Sequence, residues 1–446
     1  MCRLARPLMN ALTSVKFAIW LYFWLLLLEG VFRKWVFPQW SDVFFLARDP
    51  VVILAYLFAW RSGLFPRRLA MMTIWLMAVC SLAFSLAGDS PVLVTLFGLR
   101  TNYLHLPLVF VMAAVLDRAD VVRLGKWFII ASVPIAVLMV VQSNSPLDAW
   151  VNVGTGGVVG GQLSGALGRV RAPGPFSFIL GVVSYFSLVL AFVFYGWLHR
   201  AAYSRPLVIV GSLTTLIAIP VSISRSLTIA LTMVALFAGA VALRDMRRVA
   251  AYAGPLAVIV GAVILAGDTI YGQAFFTRWI EAEGVDRSFY KAVVLRILDE
   301  FTLPFQRAAD APFLGHGIGL GTVAGARLVT GRVGFLLSES ELPRLVLELG
   351  PMLGFLFIGW RFWLAATLVK RGWSGFLSHG DSLGWLLAGA SIIGVVLGQW
   401  GATTTLGFAV FGAGLALAAL NDPTPEDYQA FAEMESLESR ESDASA

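Results

Sequence analysis

The sequence is poor in charge, cysteine and histidine. Only 13% of its 446 residues are charged, whereas 58% are hydrophobic and the mean hydropathy is +0.80. A soluble globular domain is about one quarter charged. This deficit excludes a soluble globular protein and predicts an all-α polytopic membrane protein. The net charge of +6 does not indicate a nucleic-acid partner here, because lysines and arginines collect in cytoplasmic loops and beside anionic ligands of membrane proteins.

The rare residues also exclude several kinds of site. The two cysteines, Cys2 and Cys80, are far apart and predict neither a disulfide framework nor a metal cluster. The chain has no HExxH or CxxC motif and no carboxylates at metal-ligand spacing, so we expect no metal and no cofactor. Its four histidines are scattered and suggest no Ser-His-Asp arrangement.

Long apolar segments, by contrast, are abundant, and a membrane span needs about 20 of such residues. The basic start of the chain leads into a long apolar stretch without a small-residue cleavage site, which predicts a first transmembrane helix rather than a removed signal peptide. The predicted spans number about twelve: 16–32, 43–60, 69–87, 92–116, 127–143, 174–198, 206–223, 226–243, 250–268, 343–369, 382–399 and 401–420.

Basic residues predict the orientation of these spans. If the N-terminus is cytoplasmic, every inside loop has at least two lysines or arginines, and both termini lie inside. Two long segments, 144–173 and 269–342, are then outside. We therefore divide the chain into an N-terminal bundle of about nine helices (1–268), a large helical outer loop (269–342), C-terminal transmembrane helices (343–420) and a disordered acidic cytoplasmic tail (421–446).

Several charged residues fall in or beside the predicted spans. Arg225, in "SISRS", is either an interfacial arginine that reaches lipid phosphate or a ligand for an anionic substrate group. Arg171, in "RVRAPGPFSF", precedes the sixth span. Glu29 and Arg33, at i,i+4 spacing, predict a structural ion pair. Arg48 and Asp49 are expected to pair locally, and His105 is predicted to be a hydrogen-bonded bundle residue rather than a catalyst.

The large outer loop has its own candidates. Residues 286–308 have helical spacing, and Arg287 and Arg296 lie off the apolar stripe. "GHGIGLG", at 315–321, resembles a phosphate loop superficially, but no Gly-Lys-Ser/Thr follows. A tight glycine turn that packs the loop against the bundle is the favoured interpretation. His316 is therefore either a turn residue or a site residue.

The segment "FLLSESELPRLVLELGPMLGFLF", from 335 to 357, places charge at the mouth of a span. Its charged residues are Glu339, Glu341, Arg344 and Glu348. One interpretation is a solvated helix mouth capped by Ser338. The other is a polar outer cavity in which Arg344 lies near an anionic group or pairs with a glutamate.

Three of these motifs, in this order around one large outer loop, resemble the O-antigen polymerase and O-antigen ligase superfamily of bacterial envelopes. "SISRS" looks like the family's Ser-Arg motif, "DAPFLGHGIGLGT" is similar to its glycine-containing loop segment, and "LPRLVLELGPMLGFL" is similar to its Glu-Leu-Gly re-entry helix. "EGVFRKWVFP" and "RVRAPGPFSF" look typical of a subgroup of this superfamily. The likeness in topology covers most of the chain, and the motifs cover about 222–360.

The resemblance implies a fold and a chemistry. It implies a GT-C-like, metal-independent glycosyltransferase of the bacterial inner membrane that moves a glycan from undecaprenyl diphosphate to an acceptor sugar hydroxyl on the periplasmic face. The glycan or lipid-linked acceptor, membrane lipids and polysaccharide assembly proteins are then the expected partners. Arg225 matches the diphosphate-binding arginine, and either Arg287 or Arg296 matches the loop arginine.

The family's loop histidine is replaced in this sequence. Its register, nine residues before Glu348, is occupied by Glu339, which we expect to act as the general base once it is enclosed. The predicted catalytic residues are thus Glu339, Glu341 and Arg225. The predicted substrate-binding residues are Arg171, Arg287, Arg296, His316 and Arg344. Polymerase and ligase stay open, and a transporter or flippase of lipid-linked glycans or a non-catalytic assembly partner are the alternatives.

Overall fold

The computed structural model describes residues 2–66, 69–244, 269, 271–277 and 296–421, and all of its regular elements are helices. The α-helices are α1 Cys2–Val31, α2 Ser41–Phe44, α3 Arg48–Arg61, α4 Leu69–Ala87, α5 Val92–Leu99, α6 Pro107–Val115, α7 Arg118–Asn144, α8 Ile179–Leu198, α9 Arg205–Ser222, α10 Arg225–Arg244, α11 Arg296–Ala308, α12 Val323–Thr330, α13 Glu341–His379, α14 Leu383–Val396 and α15 Thr403–Ala418. Two π-helical turns, Phe32–Val36 and Arg100–Leu104, extend α1 and join α5 to α6.

Nine helical segments of the described ranges are long and apolar enough to cross a membrane, so the prediction of an all-helical membrane protein is confirmed. The predicted span 250–268 and the tail after residue 421 lie outside the described residues. The last two predicted spans correspond to α14 and α15, with 14 and 16 residues. At 1.5 Å per residue they are about 21 and 24 Å long, which is short of a hydrocarbon core of about 30 Å.

Contacts between the connections define two ends of the bundle. At the loop end lie residues 88–91, 145–177 and 309–340. Gly30 packs on the Pro175 carbonyl there, and Ser90 Oγ donates to the His316 carbonyl. At the tail end lie residues 116–118, 199–204, 380–382 and 419–421. The spans alternate between these two ends, and because α14 and α15 are short, their connecting turn (397–402) lies inside the bundle.

A set of ion pairs joins the helices at the tail end. Lys16 of α1 pairs with Asp117 and Asp120, and Arg118 pairs with Asp381 and donates to the Tyr195 hydroxyl. Burial alone would raise the pKa of Asp117, but the Asp120 N–H and the Lys16 ammonium hold that pKa below its usual range. These ion pairs and the hydrogen bond to Tyr195 join α1, α7, α8 and the α13–α14 turn.

Helix α13 reverses direction at Gly350, which corrects the prediction of one continuous span over 343–369. Gly350 has φ +76° and ψ 164°, and Pro351 follows it. A Cβ on Gly354 would lie 2.7 Å from Val346 Cα, so the chain returns beside itself. Residues 341–349 therefore form a short re-entrant helix, and residues 351–379 form the span. The alternative in which Ser338 caps this helix is wrong, because α13 begins at Glu341 and the Ser338 hydroxyl accepts from the Ser340 N–H instead.

The glycine segment 315–321 packs against this reversal. Gly315, Gly317 and Gly319 have φ of +74°, +105° and +92°. A Cβ on Gly315 would lie 2.2 Å from the Glu348 carbonyl oxygen, and one on Gly319 would lie 2.5 Å from the Val94 carbonyl oxygen. The favoured interpretation of "GHGIGLG" as a turn packed on the bundle is confirmed.

Candidate functional site

Four fully buried charges lie on the two halves of the α13 hairpin. Arg344 binds Glu341 through both carboxylate oxygens at 2.9 Å and binds Glu348 Oε2 at 2.6 Å. Arg361 donates to Glu341 Oε1 at 2.6 Å. These two residues are 20 positions apart, and only the reversal at Gly350 brings them together. We call Glu341, Arg344, Glu348 and Arg361 the hairpin cluster.

Neighbouring elements complete the hydrogen bonds of the hairpin cluster. Arg361 donates to the carbonyls of Val395 and Gly398 at the end of α14, and its guanidinium lies 3.8 Å from the centroid of the Trp400 ring. The Gly321 N–H donates to Glu348 Oε1 at 2.7 Å, and Arg344 donates to Asn102 Oδ1. The cluster therefore joins the glycine segment, the α5–α6 connection and the α14–α15 turn.

The hairpin cluster has two formal positive and two formal negative charges. A buried ion is costly unless it is paired and hydrogen-bonded, and removal of one partner from such a pair costs about 3–5 kcal/mol. Of the two alternatives for Arg344, the structure has the pairing with glutamate. Glu341 accepts hydrogen bonds on both oxygens, including one from the Trp400 N–H, so this arrangement does not favour its predicted catalytic role.

A second buried cluster lies at the loop end of α1. Glu29 pairs with Arg33, as predicted, and also with Arg48. Arg48 donates further to the Thr403 carbonyl at 2.6 Å. The prediction that Arg48 pairs with Asp49 is wrong, because adjacent residues of a helix point in different directions. This α1 cluster contacts Thr403, the first residue of α15, and the hairpin cluster contacts Trp400 in the turn directly before it.

Asp49 belongs to a third set of contacts. It binds the guanidinium of Arg100 and accepts from His105 Nε2 at 3.0 Å, while the Tyr22 hydroxyl contacts His105 Nδ1 at 3.1 Å. His105 is 2% exposed. Its prediction as a hydrogen-bonded residue of the bundle is confirmed.

The segments "EGVFRKWVFP" and "RVRAPGPFSF" pack on each other. Lys34 of "EGVFRKWVFP" is buried and donates to the Gly174 carbonyl of "RVRAPGPFSF", and Arg33 donates to the Ser177 hydroxyl. A Cβ on Gly30 would lie 2.1 Å from the Pro175 carbonyl oxygen. This interface fixes the chain that enters α8 against the end of α1.

The predicted acceptor-side residues occupy opposite ends of the re-entrant helix. Glu339 precedes its first turn, has an exposed side chain and accepts from Gln399 Nε2 through its backbone carbonyl. The described residues therefore do not enclose Glu339 as we expected. His316 is also exposed and lies at the other end, where its N–H donates to the Leu347 carbonyl. About 9 Å of helix separates residues 341 and 347, so the two side chains flank the hairpin rather than share one point.

The predicted donor-side arginines lie at the loop end of α9 and α10. Arg225 is the first residue of α10, directly after the turn in which Ile223 has φ +48°. A Cβ on Gly165 would lie 3.0 Å from Ile223 Cδ1 and 3.2 Å from Arg171 Cγ. The structure thus brings the stem of Arg171 beside the turn that precedes Arg225. Arg296 is the first residue of α11, and Arg287 lies outside the described residues.

Within the described ranges a metal site receives no support, and the apolar groove lies away from the hairpin cluster. These ranges contain no group of three or more His, Cys, Asp or Glu residues that could hold a metal ion. An apolar groove of about 930 Å³ is lined by Ile53, Tyr56, Trp60 and Trp75, toward the tail end of α3 and α4. It does not include any residue of the hairpin cluster.

Sequence reasoning missed Arg361, although a signal was present. Arg361 stands alone in the apolar stretch "GWRFW", and neither the preceding nor the following helical turn contains a carboxylate. An arginine in such a position needs a partner from another segment.

No known protein family, no curated protein and no solved structure matches this chain.

Proposed function

We propose that the chain is a metal-independent glycosyltransferase of the bacterial inner membrane. It moves a glycan from undecaprenyl diphosphate to an acceptor sugar hydroxyl, as an O-antigen or exopolysaccharide polymerase or ligase. The loop end is periplasmic and both termini are cytoplasmic. The observation that carries the proposal is that two segments with the family resemblance, "GHGIGLG" and "LPRLVLELGPMLGFL", pack on each other around the buried hairpin cluster.

Buried charge inside apolar spans supports a ligand site rather than a purely structural bundle. Ionisable residues at membrane depth are costly and usually mark substrate or ion pathways. In the proposal, Arg225 and Arg171 bind the donor diphosphate, because a guanidinium donates bidentately to phosphate oxygens and stays charged. The hairpin cluster holds the re-entrant helix in place, so that Glu339 and His316 flank the acceptor.

Purified protein in nanodiscs, supplied with an undecaprenyl-diphosphate oligosaccharide, tests the proposal directly. Longer lipid-linked glycan identifies a polymerase, and transfer to a different added acceptor identifies a ligase. Translocation of the donor across proteoliposomes without glycan transfer would instead identify a flippase. Absence of glycan transfer to either kind of acceptor would contradict the proposal.

Arg225 variants test the donor site. Each charged hydrogen bond to phosphate contributes about 1.5–3 kcal/mol, so Arg225→Ala should lower transfer at least tenfold. Arg225→Lys keeps the charge but loses the planar fork and should also be impaired. Arg327→Ala is the matched control, because Arg327 is an exposed arginine that pairs with Asp42 at the same end. Unchanged transfer by Arg225→Ala at normal protein level would refute the role.

A further inference from the structure

The loop 145–171 at the loop end has an unusual distribution of polar and apolar groups. Beside the exposed polar residues Asp148 and Ser164, six of its exposed side chains are large and apolar: Leu147, Trp150, Val158, Val159, Leu163 and Leu167. Trp150 is 72% exposed and Val159 is 66% exposed. Between residues 145 and 168 the single charged side chain is Asp148. A loop that faces water normally has the opposite pattern, with polar side chains outside.

Two amide side chains of the same loop, Asn152 and Gln162, turn inward together with Gln142 of α7 and bind the loop backbone. Asn152, fully buried, donates to the carbonyls of Gln142, Ser145 and Pro146. Gln142 donates to the Val151 carbonyl, and Gln162 donates to the Val153 carbonyl. Irregular backbone near hydrocarbon is tolerated where its carbonyls and N–H groups are satisfied within the protein. These three amide side chains help to meet that need beside three short 3₁₀ turns, Trp150–Asn152, Thr155–Gly157 and Ala166–Gly168.

The exposed apolar surface of the loop continues onto the spans beside it. The Trp35 indole N–H donates to the Trp150 carbonyl, and the two rings are 6.1 Å apart. Gly157 packs against Pro38, the first residue of the candidate span Pro38–Arg61. On that span, Trp40 and Val43 are themselves more than half exposed. Tryptophan is enriched at the membrane–water interface, where its ring lies at the level of the headgroups.

We infer that the loop 145–171 binds the membrane by inserting its apolar side chains into the interfacial region of the leaflet at the loop end. The partner is a lipid surface. The inference is independent of the proposed catalytic activity. In this inference the loop is not free in water but lies at headgroup depth, beside the α9–α10 turn.

Spin labels on single cysteines test this inference. In a background with Cys2→Ser and Cys80→Ser, Val159→Cys and, as the matched control in the same loop, Asp148→Cys are each labelled in lipid nanodiscs. We expect the label at residue 159 to collide mainly with dissolved oxygen, which concentrates in lipid, and the label at residue 148 to collide mainly with a water-soluble nickel chelate.

The outcomes separate the occupants of this surface. If the label at residue 159 is as accessible to the nickel chelate as the label at residue 148, the loop lies in water and the inference is wrong. If neither reagent reaches residue 159, another protein segment or a second copy covers it, and the inference is also wrong. Preferential collision with oxygen that is lost on extraction into a buffer without lipid supports insertion.

Discussion

The two carboxylates Glu339 and Glu341 are two residues apart and have opposite surroundings. Glu341 is buried and receives hydrogen bonds from two guanidinium groups, whereas the side chain of Glu339 is exposed before the helix begins. A carboxylate with occupied oxygens holds structure, and an accessible one can take a proton. The difference predicts separate roles for the two carboxylates, which substitution can distinguish.

We predict that Glu339→Gln lowers glycan transfer about 10²–10⁴-fold, the usual contribution of a general base, and leaves the melting temperature unchanged. Glu341→Gln should instead lower the melting temperature, because it leaves Arg344 and Arg361 with too little negative charge. The measurements are transfer at matched expression and thermal unfolding in detergent. Full activity of Glu339→Gln, together with loss of activity in His316→Ala, would move the base to His316.

Arg361 should be among the most sensitive positions for stability. It is completely buried and contacts Glu341, Val395 and Gly398. We expect Arg361→Met to lower the free energy of unfolding by about 3–5 kcal/mol. Arg361→Lys should recover part of this, since it keeps the charge and loses the fork. Arg327→Met, at an exposed ion pair, should cost no more than about 1 kcal/mol. Equal losses of stability in Arg361→Met and Arg327→Met would contradict the prediction that Arg361 joins the two arms of the hairpin.

At the scale of elements, the hairpin of α13 depends on glycines as much as on charge. Gly315 requires φ of +74°, and a Cβ there would overlap the backbone of Glu348 and Gly350. Gly315→Ala should therefore destabilise the protein by more than the 1–3 kcal/mol or so that a strained backbone alone costs. Gly334→Ala is the control, because Gly334 has open space around its Cα. Limited proteolysis of the 309–340 region would report the expected loosening.

The sequence predicts these elements unevenly, for physical reasons. Apolar length is a local property, so spans such as Leu69–Ala87 and Arg225–Arg244 agree with prediction to within one or two residues. The reversal at Gly350 is not local. Gly350-Pro351 signals a break, but the angle depends on packing of Gly315 and Gly354 against the two arms. Apolar length and periodicity therefore predict one continuous span, 343–369, where the structure has a hairpin.

The buried charges were predicted less well than the helices. Partners within one turn, such as Glu29 and Arg33, follow from i,i+4 spacing. Glu29 with Arg48, and Glu341 with Arg361, pair across a fold that spacing does not reveal. The functional roles of Arg225, Glu339, His316 and Arg171 stay predictions.

For the whole molecule, the alternation of spans between two ends makes the orientation testable. Asp310 lies at the loop end and Ser378 lies near the tail end, and both side chains are exposed. In cells with the Cys-free background, a membrane-impermeant maleimide should label Asp310→Cys directly. It should label Ser378→Cys only after the inner membrane is opened. Labelling of both positions from the same side would sink the predicted topology.

The hairpin cluster also sets an order for biogenesis. Glu341, Arg344 and Glu348 leave the ribosome together and can pair with one another within about two helical turns, leaving a single excess negative charge. Arg361 supplies the compensating charge about one hairpin arm later. The Val395 and Gly398 carbonyls that accept from Arg361, and the Trp400 N–H that donates to Glu341, are synthesised later still. A nascent chain arrested before residue 395 therefore has Arg361 with unsatisfied donors, and its re-entrant helix should settle into the bundle only when the final two helices arrive.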